Sequence, residues 1–109
     1  MAWLLREGEV VAAVEIAESL PARTRGLLGR SSLDGALVLR PARAVHTFGM
    51  RFPIDVAFCD AQLVVIATIT MPPGRICLPR RRTRCIIEAQ AGAFERWKLN
   101  IGDHLELKA

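Results

Sequence analysis

A chain of 109 residues, 51% of them hydrophobic, is one domain by length and has enough apolar side chain for one core without staples. That composition excludes an intrinsically disordered segment, and no stretch approaches the ~20 apolar residues that cross a bilayer as a helix. The net charge of +4 is a local feature: no acidic residue lies between Asp60 and Glu88, while Arg75, Arg80, Arg81, Arg82 and Arg84 all fall in that interval.

The N-terminal residues 1–9 lack a basic stretch followed by an apolar one, so they do not read as a secretion signal. Cys59, Cys77 and Cys85 are odd in number and contain no C-x-x-C pair, and the spacing of Cys and His matches no zinc site. Three reduced thiols in a cytoplasmic protein, with no metal and no cofactor, is the expectation. Two alternatives stay open: a disulfide between Cys77 and Cys85 across a loop, and an exposed Cys77 thiolate favoured by its arginine neighbours.

In chain order, residues 3–5 and 9–18 read as a strand pair, the second through the alternation of Ala12, Val14 and Ile16 with Ala13 and Glu15. Residues 19–29 read as a short helix, with Ser19 as cap, Pro21 in the first turn and Gly29 as stop. Leu20, Leu27 and Leu28 would share its buried face, and Gly26 would let it approach a sheet. After a turn at 31–35, residues 36–39 form a buried strand. Residues 44–50 and 54–59 read as strands broken at Pro53, which cannot donate to a ladder. A tight turn at 60–62 makes a hairpin with residues 63–71, whose nearly continuous apolar run suggests a central strand covered on both faces. Pro72, Pro73 and Gly74 stop it, and a loop rich in arginine runs to Arg84. A strand at 85–89, a helix at 92–99 with Phe94 and Trp97 on one side, and a last strand at 105–107 complete the chain. The pattern is mainly β, a β-rich α+β domain: a small curved antiparallel sheet or barrel with two short helices on its rim.

The segment 45–60 (VHTFGMRFPIDVAFCD) concentrates the polar chemistry. It holds one of two histidines and three of four phenylalanines, with a hydroxyl, a guanidinium and a carboxylate threaded between. Ionisable groups in buried sequence are costly unless paired or used. In an extended chain His46, Phe48 and Met50 share one face, and Thr47 and Arg51 the other. That separation disfavours a Thr47–His46 nucleophile pair, and no Ser or Cys has a believable His/Asp partner, so no catalytic residue is assigned. The plainer reading makes His46 a satisfied rim histidine, and Arg51 and Asp55 an ion pair across the Pro53 kink. The functional reading makes His46, Thr47, Met50, Arg51 and Asp55 a ligand cleft, with Arg51 presenting its fork to an anionic group. Residues 75–84 read plainly as a solvated basic loop, or functionally as an anion-contacting one through Arg75, Arg80, Arg81, Arg82 and Arg84. It has no aromatic stacking residue, which argues against a nucleic-acid partner. P-loop, dinucleotide, zincin and nucleophile-elbow motifs are absent.

Residues 21–30 (PARTRGLLGR), then 45–60, then Ala91–Gly92 and Gly102–Asp103, in that order, resemble the domain-of-unknown-function 192 family, from about residue 10 to 107. The resemblance implies a small, mainly β, barrel-like protein of a bacterial and archaeal family with no established activity. Many relatives carry an export signal or lipid anchor, which residues 1–9 do not resemble. Cys59 stands where relatives commonly have leucine or isoleucine, which fits a core-filling thiol. Ala61–Gln62 replaces a usual aspartate–glycine turn. The functional expectation is a non-catalytic binding or accessory domain with a polar cleft near His46–Asp55 for a small anionic or polar ligand. The alternatives are a small hydrolase or acid–base enzyme using His46 and Asp55, and a nucleic-acid-associated protein using the arginine loop.

Overall fold

The computed structural model describes residues 2–109, without the side chains at positions 20, 24 and 25, so the place expected for Leu20 on the helix's buried face lies outside the described residues. Nine strands and two short helices follow one another: β1 (Ala2–Arg6), β2 (Glu9–Ala17), α1 (Leu20–Arg25), β3 (Ala36–Leu39), β4 (Val45–His46), β5 (Ile54–Cys59), β6 (Val65–Met71), β7 (Ile76–Cys77), β8 (Cys85–Gln90), α2 (Ala93–Trp97) and β9 (Leu105–Lys108). Seven strands form one curled half-barrel sheet in the order β6-β5-β8-β3-β2-β1-β9, and β4 pairs with β7 in a separate ribbon. The curl brings the two ends of the sheet together. Val64 bridges His104, the Val65 amide donates to the Asp103 carbonyl (2.9 Å), and the Leu105 amide donates to the Leu63 carbonyl (3.0 Å).

Alternation along the strands gives the sheet two apolar faces, each with its own core. The concave core gathers Leu4, Val14, Val38, Ala57, Ile87 and Leu105 from strands across the whole sheet, closed by Phe94 and Leu99 around α2. The convex core gathers Leu37, Leu39, Ile54, Val56, Phe58 and Ile86, covered by Leu27 and Leu33 of the β2–β3 connection and by Val45, Met50 and Phe52. That connection exists because β2 and β3 are parallel neighbours, and parallel strands need a crossover. The crossover carries α1 over the convex face. Ser19 caps α1, its hydroxyl accepting from the Ala22 amide (3.2 Å), with Pro21 in the first turn.

Four expectations need correction. α1 ends at Gly26, three residues early, because Gly26 turns to positive φ (+48°). A Cβ there would meet only the Arg23 carbonyl, so this glycine terminates a helix and does not relieve contact with the sheet. The strand expected over 44–50 shrinks to the two residues of β4, since residues 47–50 turn back on themselves through a Met50 amide to Thr47 carbonyl bond (3.2 Å). β6 lies at the end of the sheet order, not at its centre, and much of it is half-buried; the fully buried central strands are β5 and β3, with β8 between them. Cys77 and Cys85 form no disulfide: all three cysteines are free, Cys77 pairing opposite Val45 in the ribbon and Cys85 lying opposite Cys59 within the sheet.

Candidate functional site: a recess over Glu88

Glu88 is the one acidic side chain on β8, a central strand whose first five residues are all buried. On β8 it lies opposite Leu37 of β3 and Val56 of β5, so its carboxyl leaves the convex face between two aliphatic neighbours. Only 3% of the residue is exposed, and no described residue donates a hydrogen bond to the carboxyl. Burial pushes its pKa up to about 7, with no nearby cation among the causes. The carboxyl lines a recess of about 70 Å³ between α1 and the segment that carries β4. Arg23, Leu27 and Leu28 wall one side; Val45, His46 and Met50 wall the other.

Arg23 reaches this recess from α1. One of its terminal nitrogens donates to the Pro41 carbonyl (2.7 Å), which fixes the guanidinium, while its Nε is buried with no partner. His46 stands at the exposed edge, its ring stacked on Phe48 with centroids 5.4 Å apart. Among the described residues, then, the Arg23 Nε–H has no acceptor and the Glu88 carboxyl has no donor. An unmatched buried polar group costs about 1–3 kcal/mol, and a buried charge more.

The five residues singled out in segment 45–60 separate. His46 and Met50 line the recess. Thr47 is buried next to it but fully occupied: its hydroxyl donates to the Pro72 carbonyl (2.7 Å) and accepts from the Arg75 amide (2.9 Å), while its backbone bonds Arg75 and Gly74. It ties the β4 segment to the turn that enters β7. Arg51 is exposed and makes no ion pair among the described residues, so the bridge expected from Arg51 to Asp55 does not form. Asp55 faces the other side of the sheet. One carboxylate oxygen accepts from the Gly92 and Phe94 amides (3.0 and 3.1 Å), and the other accepts from the Thr70 hydroxyl (2.8 Å). Gly92 has no side chain with which to cap α2, and Asp55 supplies the missing acceptor from a neighbouring strand.

The arginine loop is tied down more than a solvated loop would be. Arg80 lays its guanidinium 4.7 Å from the centre of the buried Phe58 ring, and its amide bonds the Arg43 carbonyl (3.2 Å). Arg75, Arg81, Arg82 and Arg84 are exposed. Among the described residues, no three His, Cys, Asp or Glu side chains gather as metal ligands, and no helix is long and apolar enough to cross a membrane.

Sequence reading missed Arg23 and Glu88. Glu88 had a local signal, a lone carboxylate inside the strand CIIEAQ. Arg23 had none to set it apart from Arg25, two residues on.

The fold is a curled β half-barrel with two short helices, and the recess over Glu88 lies beneath α1. Two solved structures share this architecture. One is a protein of unknown function from Novosphingobium aromaticivorans (TM-score 0.77, 18% identity, covering 96% of this chain and 82% of that one). The other, from Sinorhizobium meliloti, is named "putative transcription regulator" (TM-score 0.80, 20% identity, 96% and 90%). At those identities the likeness concerns the fold alone. The chain belongs to the domain-of-unknown-function 192 family, described as "Uncharacterized ACR", whose model matches residues 3–107. It is similar to the UPF0127 protein PH1112 of Pyrococcus horikoshii, 33% identical over 105 residues (92% of this chain, 88% of that one). It is also similar to the UPF0127 protein PYRAB11210 of Pyrococcus abyssi, 30% identical over 98 residues (85% and 84%).

Proposed function

We propose that this protein is a small ligand-binding module whose site is the recess lined by Arg23, His46, Met50 and Glu88. The observation that carries the reading is Glu88: an acid 3% exposed, on a central strand, with no hydrogen bond from a described residue and a cavity in front of it. A buried titratable group with a strongly shifted pKa that faces a cleft is a candidate binding or catalytic group. Arg51 and the arginines of residues 75–84 then act as a positive surround that attracts an anionic ligand, and do not form the site itself.

A second reading, acid–base catalysis, draws support from Glu88, which titrates near neutrality beside His46. Asp55 has no part in it, being spent on α2. Glu88 and His46 would then act as the acid and base that move a proton to or from a bound ligand.

The test is a thermal-shift screen of small acids, amides, alcohols and amines on the wild type and on Glu88→Gln. Binding in the recess predicts at least one chemical class that raises the wild-type Tm by a few degrees and moves Glu88→Gln much less. If every stabilising compound acts equally on both proteins, the recess is not the site.

A further inference from the structure

The recess is too small to hold a whole ligand. Ligand pockets commonly enclose roughly 300–1,000 Å³, and this one offers about 70 Å³, space for one polar group of a few atoms. Whatever binds must leave most of itself outside, and the surface it would meet there is apolar. Leu28, a wall of the recess, is 36% exposed. Phe48, stacked on His46, is 50% exposed, and Ile76, paired across the ribbon from His46, is 60% exposed. Gly49 draws these groups together: a Cβ on it would sit 3.3 Å from the Leu28 Cδ2, so the turn carrying Phe48 rests directly against Leu28. A polar hole therefore opens into an apolar rim.

The chemistry of the hole selects the head group. Arg23 is a fixed positive charge whose Nε–H is buried without an acceptor among the described residues, and one terminal nitrogen of the guanidinium is held by the Pro41 carbonyl. Glu88 does not serve as its counterion: they share no hydrogen bond, and burial alone governs the Glu88 carboxyl. Of the elements packed around Glu88, β3 and β5 present Leu37 and Val56, and among the described side chains only Arg23 of α1 and His46 of β4 can carry charge there. With Glu88 protonated the site is positive and is lined by two donor side chains, Arg23 with its unmatched Nε–H and Glu88 with its O–H. An ammonium group would be repelled by Arg23. A phosphate is bulkier and more highly charged than suits a recess of about 70 Å³ with one fixed cation. A carboxylate has one negative charge and two acceptor oxygens.

We propose, building on the reading of the recess as a ligand site, that its ligand is a carboxylic acid with an apolar tail, the carboxylate held by Arg23 and Glu88 and the tail lying over Leu28, Phe48 and Ile76. A medium-chain fatty acid and the free C-terminus of an apolar peptide share that chemistry.

The experiment is an NMR titration of the full chain at pH 6.5 with octanoate, acetate, octanol, and an apolar tetrapeptide as free acid and as C-terminal amide. Octanoate is expected to shift the signals of Leu27, Val45, Met50 and Glu88 and to bind at least tenfold more tightly than acetate or octanol. Arg23→Lys, which keeps the charge but loses the Nε–H and the Pro41 bond, should weaken octanoate at least tenfold while the variant's NMR spectrum remains that of the folded protein. Phe48→Ser with Ile76→Ser should bring octanoate down to the level of acetate. Tighter binding of the peptide acid than of octanoate, lost in the amide, would assign the tail to a polypeptide, and the reverse to an acyl chain. If octanoate binds no better than acetate, or the rim substitutions have no effect, the apolar-acid proposal is wrong while acetate in the recess still upholds a ligand site. If no probe and no screened compound perturbs the recess, both fail.

Discussion

Two buried carboxylates sit on opposite faces of the same sheet, and their partners decide their roles. Asp55 accepts three hydrogen bonds and serves the fold. Replacing it with alanine would strand two backbone amides at the start of α2 and the Thr70 hydroxyl on β6, and we expect Asp55→Ala to cost about 3 kcal/mol in chemical denaturation. Asp55→Asn, which keeps an acceptor, should cost clearly less. Equal losses would mean that the carboxylate's charge, and not its hydrogen bonds, holds α2. No described residue bonds the Glu88 carboxyl, and its burial pushes its pKa to about 7 from an ordinary 4.5. Carbon-detected NMR of its carboxyl should therefore give a midpoint near neutrality, well separated from the other carboxylates.

At the scale of elements, the sequence was most legible where alternation and turn residues agree. Residues 36–39 and 54–59 are strands with the expected bounds, and the capped helix after Ser19, the strand beginning at Cys85 and the helix near Phe94 are all present. Legibility failed where a decision belongs to the sheet and not to the segment. An apolar run such as residues 63–71 does not reveal whether its strand lies at the centre or the end of the order, because half-burial at an edge uses the same residue types. β4 and β7 are two residues each, too short for any period, and they exist only because Thr47 ties residues 72–75 to the β4 segment. The recess was hidden for the same reason: Arg23, His46 and Glu88 come from three distant segments, and only the crossover of α1 above β8 brings them together. That crossover depends on the close approach of β2 and β3. Gly35, at φ +79°, enters β3 so near β2 that a Cβ would collide with the Ala13 carbonyl oxygen. Both the positive φ and the clash are backbone effects that no side-chain rotation relieves. Gly35→Ala should lower stability by roughly 2 kcal/mol or more, whereas Gly8→Ala, at a similar φ with open space around it, should lose only the smaller conformational part.

In the molecule as a whole, two cores share one sheet, and each holds a chemical group that reports on it. Cys59 and Cys85 lie opposite each other in the concave core, and burial raises both thiols, Cys85 to about 11. Cys77 is only half-buried in the ribbon. Native protein at pH 8 should therefore consume about one equivalent of thiol reagent quickly, at Cys77, with the other two reacting only as the fold opens; three fast equivalents would contradict a closed concave core. On the convex side the group is Glu88, and its cost is carried by the entire fold. A carboxyl whose folded pKa lies above its unfolded value binds a proton in the native state that the unfolded state has released, so stability is highest below about 4.5 and is lost as pH rises through about 7. A shift of this size corresponds to roughly 3 kcal/mol. The most direct test is the difference in unfolding free energy between Glu88→Gln and the wild type, measured by denaturant titration from pH 4 to pH 8. An acid kept uncompensated for the sake of the recess predicts that the difference grows with pH, leaving the variant the more stable protein at pH 8 by a few kcal/mol. A wild type that equals or exceeds the variant at pH 8 would contradict it, and Glu88 would then be a paired structural residue.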